Sequence, residues 1–398
     1  MDNRIAITGV GIISALGYGL SETYRSLAAE KCPISYPKHL KTVHTDLPCG
    51  EVDLSDAQLY ELCHADRSRV IARASLLGIL AARQAQDDAH LDSGSRVALI
   101  SGTTVGGMDL TERHYADFFK GSELDSLIAC NLDGVTNDAI ADALDCEVVF
   151  TDVISTACSA AANAIAFGAE LILSGRYDVV IAGGCECLTK YHLNGFNSLM
   201  ILSDEPCRPF DAARKGLNLG EGAGYVVLET REHAMARGAV IRACLSGWGN
   251  ACDAYHQTAA SPDGSGAFAA MQAALDKAGL RPSDIDYVNA HGTGTQSNDA
   301  SEGTALMALF KDRMPLVGST KCFTGHATSA AGGLEAVISV LCLQKGFVPS
   351  NLRFETRDGL LNFSPVTQTV QNINLRHVLS NSFGFGGNDT SLIFSSAI

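Results

Sequence analysis

Charged side chains make up only 18% of the 398 residues, and the basic ones are outnumbered, with 29 Lys and Arg against 44 Asp and Glu. The resulting formal charge of −15 argues against nucleic acid and against anionic membranes, both of which ask for basic patches. No window reaches the roughly 18 unbroken apolar residues of a membrane span. The N-terminus lacks a basic segment leading into a long apolar one. Ile5-Ala6-Ile7-Thr8-Gly9-Val10-Gly11 already has the pattern of a strand and a turn, so no signal peptide is expected. The 13 cysteines contain no C-x-x-C pair, and only Cys185 and Cys187 stand close together. An odd and irregular set speaks against a disulfide framework or a zinc site and for a reducing cytoplasm.

What the chain has in plenty is hydrophobic residues, at 46%, and 39 glycines. That is ample for a large core with many tight turns, and the length suggests two or three domains. Strands are expected at Arg4–Gly11, Arg96–Ser101, Asp178–Gly184 and Tyr225–Leu228, with helices near Leu20–Ala29, Ser68–Ala85 and Arg231–Arg237. Residues 106 to 140 are irregular loop and helix. Gly9-Val10-Gly11-Ile12-Ile13-Ser14 imitates a dinucleotide loop but has serine at the third glycine position, so a tight turn is the better reading. After Gly238 the chain starts again, with a strand near Ile241–Ser246. Ser329-Ala330-Ala331 followed by Val337–Leu341 echoes Ser159-Ala160-Ala161 followed by Phe167–Leu171. Two similar halves, 1–237 and 238–398, each alternating strands and helices, imply mixed α/β layers.

Four stretches rich in small residues each carry a polar group at the end of a strand. In the first, Ile154-Ser155-Thr156-Ala157-Cys158-Ser159-Ala160-Ala161, the apolar run Val148-Val149-Phe150 gives way to a helical pattern. Cys158 then sits where unpaired N–H groups and the positive helix end favour a thiolate, and the small neighbours leave its sulfur uncrowded. A lone cysteine is more often a small core residue. The other three stretches shift those odds: Asn289-Ala290-His291-Gly292-Thr293-Gly294-Thr295, Gly318-Ser319-Thr320-Lys321-Cys322-Phe323-Thr324-Gly325-His326, and Asn381-Ser382-Phe383-Gly384-Phe385-Gly386-Gly387-Asn388. A nucleophile, two histidines and a lysine together outline one site.

At T-A-C-S (156–159), P-F-D (209–211), G-E-G-A-G (220–224), H-G-T-G-T (291–295), G-S-T-K…T-G-H (318–326) and N-S-F-G-F-G-G (381–387), nearly the whole chain resembles the condensing β-ketoacyl-ACP synthases of the thiolase-like superfamily. The resemblance implies a five-layered αβαβα fold, usually as a homodimer, with a heterodimer as the alternative. It implies a decarboxylative Claisen condensation in fatty acid synthesis or in a related polyene or polyketide pathway, with acyl carrier protein delivering both substrates. Cys158 would take the acyl group, and His291 and His326, as neutral imidazoles, would stabilise the malonyl enolate. Backbone N–H groups of Cys158 and Phe385 would hold the acyl oxyanion, with Phe385 also the gate. Lys321 would tune the neighbouring histidine, with Glu302 as its partner. Thr293 and Thr295 match positions that bind the pantetheine arm, and Phe196 matches the acyl channel. Asn289, Glu335, Ser380 and Asn381 resemble a structural Na+ or K+ site. No organic cofactor is implied.

Three departures stand out. Gly387-Asn388-Asp389 replaces the usual Gly-Gly-Thr-Asn ending, so polar contacts behind the gate are expected to differ. Gln296-Ser297-Asn298-Asp299 replaces small residues, and Met200 stands where relatives carry an arginine for the carrier protein. That leaves Arg67, Arg69 and Arg73 as the expected basic patch. A thiolase would need a second cysteine near Asn381–Asn388, which is missing, and a cysteine hydrolase would leave one histidine and Lys321 without a use. A non-catalytic partner subunit, like the chain-length factors that pair with condensing enzymes, is the rival of a different class. Such subunits typically lack the cysteine that is present here.

Overall fold

The computed structural model describes residues 5–118, 125–311 and 313–397. The first strand expected from the sequence begins at Arg4, which lies outside these residues. The part of the irregular stretch that covers 119–124 does too.

Ten strands carry the architecture. In the first half they are β1 (Ile5–Ser14), β2 (Arg96–Gly102), β3 (Glu147–Ile154), β4 (Val179–Glu186) and β5 (Gly222–Thr230). In the second half they are β6 (Ala243–Cys252), β7 (Tyr287–Asn289), β8 (Leu316–Gly318), β9 (His377–Gly384) and β10 (Asn388–Ser395). The first five lie in the order β3-β2-β4-β5-β1, with β2 parallel to β3 and β4, and β5 antiparallel to β4 and β1. The second five repeat that order as β8-β7-β9-β10-β6, with the same pattern of parallel and antiparallel pairs. The two units join where β1 pairs with β6, Ile5 opposite Leu245 and Ile7 opposite Ala243.

Helices α1 (Arg73–Asp88), α2 (Ala160–Leu173), α3 (Lys190–Ser198), α4 (Ser265–Ala278), α5 (Gln296–Phe310) and α6 (Ala331–Lys345) complete what the site needs. α1 covers the outer face of the first sheet, where Leu77, Leu80 and Ala81 pack with Leu99, Ile181 and Val227. α4 and α5 cover the outer face of the second, where Met271, Leu275 and Leu306 meet Val288, Leu379 and Ile393. Between the sheets α2 and α6 lie against each other, and Ile165, Ile172, Val337 and Leu341 share one core with Ile100, Val226, Leu392 and Phe394. The result is a five-layered αβαβα fold. Both middle helices are apolar nearly all round, as burial between two sheets requires.

Two local expectations change. The helix read from Ser68 begins at Arg73. Residues 66–72 turn instead, because Asp66 accepts from the N–H of Ser68 and of Arg69, and Tyr60 Oη accepts from the Ile71 N–H at 2.8 Å. The apolar run Val148–Phe150 belongs to an edge strand that is partly exposed along its length. Arg73 does not contribute to a surface patch. Its guanidinium is buried against Glu221, with Nη2 donating to Oε1 at 2.7 Å and Nε to Oε2 at 3.0 Å, while Nη1 reaches Asp56 Oδ1 at 2.9 Å. Glu221 also accepts from the N–H of Val52 and of Leu188, so the pair clasps three segments together. Arg67 and Arg69 are exposed, and Arg69 pairs with Asp142 at 2.9 Å. Removing one partner from a buried ion pair costs about 3–5 kcal/mol. We therefore expect Arg73→Ala to lower the melting temperature by many degrees. An unchanged melting temperature combined with weakened carrier-protein binding would return Arg73 to the surface role that its sequence context suggests.

Candidate active site

Cys158 owes its position to a tight turn between β3 and α2. Ala157 adopts φ 51°, a left-handed conformation that costs a non-glycine residue energy, and the 157–159 turn then runs straight into the helix. Side chains hold the turn: Ser159 Oγ donates to Thr156 O at 2.8 Å, and Asn163 Nδ2 donates to Thr156 Oγ1 at 2.9 Å. Ala160, Ala161 and Ala162 are buried behind it. Gly384 packs against its front, where a Cβ would sit 2.9 Å from Thr156 O and 3.2 Å from the Cys158 nitrogen. The backbone N–H groups of Phe385 and of Cys158 itself both favour the charged sulfur. Burial nevertheless outweighs them and Lys321, and pushes the Cys158 thiol up to about 11. The N–H groups thus act on the sulfur in the direction expected of the helix-end position, and desolvation is the larger effect.

The histidines come from corresponding loops of the second sheet, His291 after β7 and His326 after the loop that follows β8. Their rings meet edge to face, 5.2 Å between centroids at 89°, and Phe383 lies against His291 at 5.7 Å. Both are buried, and burial, with Lys321 as the second cause, lowers both well below the ordinary imidazole value. They are therefore neutral near pH 7. Lys321 Nζ donates to His291 Nδ1 at 3.3 Å, which leaves the His291 proton on Nε2. The Nδ1 of His326 is buried and has no hydrogen-bond partner among the described residues.

The partner of Lys321 is Glu335, on α6, and not Glu302: Nζ donates to Glu335 Oε1 in a fully buried ion pair. Burial raises Glu335 to about 7 in spite of the lysine. Glu302 stands behind the histidine loop, where Oε1 accepts from the His291 N–H at 2.9 Å and Oε2 from the Gly292 N–H at 2.8 Å, with Asn381 Nδ2 adding a third bond at 3.0 Å. It fixes the backbone that carries His291 and does not touch the lysine.

Cys158, His291 and His326 open onto one cavity, whose walls include Thr293, Thr295, Phe196 and Phe385. Thr293 and Thr295 hydroxyls are 3.0 Å apart, and Thr295 also caps α5 by accepting from the Asn298 N–H. The Phe196 and Phe385 rings stack at 5.6 Å and 17° across the mouth. Of the four residues read as a cation site, Asn289 and Ser380 stand opposite each other in the β7–β9 pair. Glu335 is committed to Lys321, Asn381 Oδ1 accepts from Ser391 Oγ at 2.8 Å, and Asn289 Oδ1 accepts from Thr320 Oγ1 at 3.4 Å. Ser380 is buried on β9 beside them. Among the described residues there is no group of three or more His, Cys, Asp and Glu placed to hold a metal ion.

The sequence reading missed the part of the wall made by Asp253, Thr258, Ala259 and Ala260, which meets the Asp389 it had named beside the gate. The only signal for it was a polar loop between a strand and a helix. It also missed the meaning of its own echo. Thr328 has φ 43° and opens a second turn, 328–330, that leads into α6 as 157–159 leads into α2. Ser329 is the counterpart of Cys158.

Comparison with known proteins agrees with this geometry. Residues 2–234 match the family model of the beta-ketoacyl synthase N-terminal domain, and residues 242–355 that of the C-terminal domain. The 3-oxoacyl-[acyl-carrier-protein] synthase 2 of Vibrio harveyi is 34% identical over 98% of both chains. Among solved structures, the ishigamide ketosynthase/chain length factor matches with a TM-score of 0.91 at 30% identity over 100% of both chains. The ketosynthase ApeO in complex with its chain length factor ApeC, from Xenorhabdus doucetiae, matches with a TM-score of 0.84 at 32% identity, covering 99% of this chain and 98% of that one. With both domain models matched in order, and with a cysteine and two neutral histidines on one cavity and a buried lysine bonded to one of those histidines, this chain belongs to the beta-ketoacyl synthase family.

Proposed function

We propose that the protein is a 3-oxoacyl-[acyl-carrier-protein] synthase that extends an acyl chain held on Cys158. The observation that carries this is the pairing of a buried thiol, met by two backbone N–H groups, with two neutral imidazoles on the same cavity. In the first half-reaction the Cys158 sulfur attacks the thioester carbonyl of an acyl carrier protein. The acyl–S bond to the carrier breaks, and the thiol proton leaves with the carrier's phosphopantetheine sulfur. The N–H groups of Cys158 and Phe385 stabilise the oxyanion formed on the way. In the second, malonyl carrier protein loses carbon dioxide and its enolate carbon attacks the acyl–Cys158 carbonyl. This releases the 3-oxoacyl carrier protein and returns the sulfur, which regains a proton.

Neutral histidines suit the enolate step. A protonated imidazole would bind the malonyl carboxylate and hold it against decarboxylation, whereas an N–H dipole favours charge only as it develops on the thioester oxygen. Lys321 keeps His291 in that state by occupying Nδ1. In this reading Thr293 and Thr295 receive the pantetheine arm and Phe196 lines the acyl channel. Phe385 is the gate, on a hairpin tip whose Gly386 and Gly387 have φ 81° and 76°. The two halves, 1–237 and 238–398, are read as the two thiolase-like domains. The partly exposed edge strand β3, which displays Phe150 stacked on Tyr177 at 5.5 Å, suits a second subunit. The relatives named above with chain length factors support a heterodimer as well as a homodimer. No helix among the described residues is long and apolar enough to cross a membrane, and the reducing cytoplasm remains our reading of the 13 free cysteines.

Cys158→Ala should abolish acyl transfer from acyl carrier protein, read as loss of the mass increment on the intact chain. Retention of normal loading would refute the assignment. His291→Ala and His326→Ala should each slow malonyl decarboxylation by about 10²–10³ while leaving acyl loading less affected. If both mutants decarboxylated normally but could not be loaded, the histidines would be bases for the cysteine and the enolate step would need other donors. Native mass measurement of the purified chain should give a twofold mass if it pairs with itself. A monomer that gains activity only on addition of a second, cysteine-free relative would establish the heterodimer.

A further inference from the structure

The cavity is also lined by two carboxyl groups, Asp253 and Asp389, and among the described residues no cation pairs with either. Asp253 follows β6, and Asp389 lies in β10 directly across from Phe383 of β9, the residue that packs on His291. Gly266 on α4 lies beneath both: a Cβ there would meet Asp389 Oδ2 at 2.2 Å and Asp253 Cβ at 2.7 Å. Asp253 organises its own loop by accepting from the Tyr255 N–H at 3.0 Å through Oδ1 and from the Ser261 N–H at 2.9 Å through Oδ2. That loop is also bonded to the hairpin tip that carries Phe385. The Gly386 N–H donates to Gln257 O at 2.9 Å, and the Asp253 N–H donates to Gly387 O at 3.2 Å. At Gly387, a Cβ would lie 2.1 Å from Asp253 Oδ1, so the tip and the Asp253 carboxylate are in close contact.

Asp389 is only 5% exposed, and no hydrogen bond or ion pair to its carboxyl is found among the described residues. The groups facing it are acidic or neutral: Asp253 from the loop, Glu302 from α5, and, lining the same cavity, His291, His326 and Cys158. His256, on the same loop, is exposed and its Nδ1 accepts from the Thr258 N–H. Burial first, then Asp253 and Glu302, raises Asp389 to about 8. A carboxylate there would place a second negative charge beside Asp253 in a poorly solvated pocket, where like charges repel strongly.

We propose that Asp389 is a positioning residue for the gate: as a neutral acid it lets the 253–261 loop and the 384–388 tip stay bonded to each other, and on losing its proton it drives them apart by repulsion from the neighbouring Asp253 carboxyl. The inference rests on reading 384–388 as the gate of the Cys158 site. Its sign follows from linkage. The closed state holds a proton that an opened, hydrated Asp389 gives up at an ordinary carboxyl pKa. The opening equilibrium therefore rises with pH, up to about tenfold per unit, and levels off above about 8. Asp389→Asn keeps the shape, supplies a permanently neutral group and removes the titration.

The experiment compares iodoacetamide labelling of Cys158, located by peptide mass, in the wild type and in Asp389→Asn from pH 6 to 9. Taking the ratio of the two rates cancels the titration of the thiol itself. We expect the wild-type to variant ratio to climb by up to about fiftyfold between pH 6 and 8 and then level off. A ratio that does not change with pH overturns the proposal. Hydrogen exchange on the wild type alone gives a second test that needs no variant. Exchange in 253–261 and 384–388, relative to α2 in the same sample, should accelerate over the same pH range, and equal behaviour of the three segments would also overturn it. Loading from acyl carrier protein at pH 6 separates this inference from the parent reading. Absence of loading at every pH, with the labelling ratio still pH-dependent, would remove the synthase assignment and leave the carboxyl switch standing.

Discussion

The site depends on backbone-to-backbone contact between the middle helices and the strands on either side. At Gly102, the end of β2, a Cβ would come within 2.3 Å of the Ala161 nitrogen. At Gly224 on β5 it would strike Gly333 of α6 at 2.5 Å, and at Gly332 it would reach the Ala162 nitrogen at 2.8 Å. Contacts this short admit only glycine, since even the Cβ of alanine would clash, so α2 and α6 have little freedom to slide. Interiors are packed at crystal density, and a helix seated against backbone transmits its position without the slack of flexible side chains. Cys158 stands at the N-terminus of one of these helices and Glu335 on the other. The relative placement of nucleophile and lysine clamp is therefore set by the glycines of the core more than by any residue in the cavity.

Burial then determines the chemistry. It keeps the cysteine a thiol and both histidines neutral, and it leaves Lys321 and Glu335 as an ion pair whose separation would strand a charge in the core. A site meant to generate a nucleophile by deprotonation would gain from a nearby base that is easily protonated. The imidazoles here do not serve, since both are held far below neutral titration. The arrangement suits a reaction whose anion comes from loss of carbon dioxide, with N–H dipoles already oriented to meet it and little reorganisation needed.

The parts of this that were legible in the sequence are those written in local pattern. A strand ending in small residues and running into a helix marks Cys158, and strand ends followed by glycine and threonine mark both histidines. The layered α/β class follows from the alternation of elements and from the repeat around Gly238. The errors all concern partners distant in sequence. Three arginines within 67–73 look like a basic patch until Glu221, 148 residues away, takes Arg73 into the core. Glu302 is a plausible acid for Lys321 until the fold turns it toward the backbone of His291 and Gly292 and presents Glu335 instead. A helix terminus is visible in sequence, whereas the depth of burial, which at Cys158 is the larger effect, is not.

The duplication explains why two such turns yield one nucleophile. Both 157–159 and 328–330 pass through a left-handed residue into a middle-layer helix, and each presents its second residue at the helix start. In the first turn that residue opens onto the cavity. In the second, Ser329 is wholly buried and donates to Glu186 Oε2, which also accepts from the Thr104 N–H at 3.0 Å; neither Ser329 nor Glu186 lines the cavity. Glu186, raised to about 7 by burial, is stabilised by that hydroxyl, so the second turn is closed by structure. Its contribution lies just upstream, where the chain that enters it carries Lys321 and His326. The strain at Thr328 bends that segment back over the first turn, and the second half thereby supplies polarising groups to a nucleophile held by the first. Each half positions one partner of the reaction. Neither half contains a complete site, and the seam between the sheets is where the chemistry has to be.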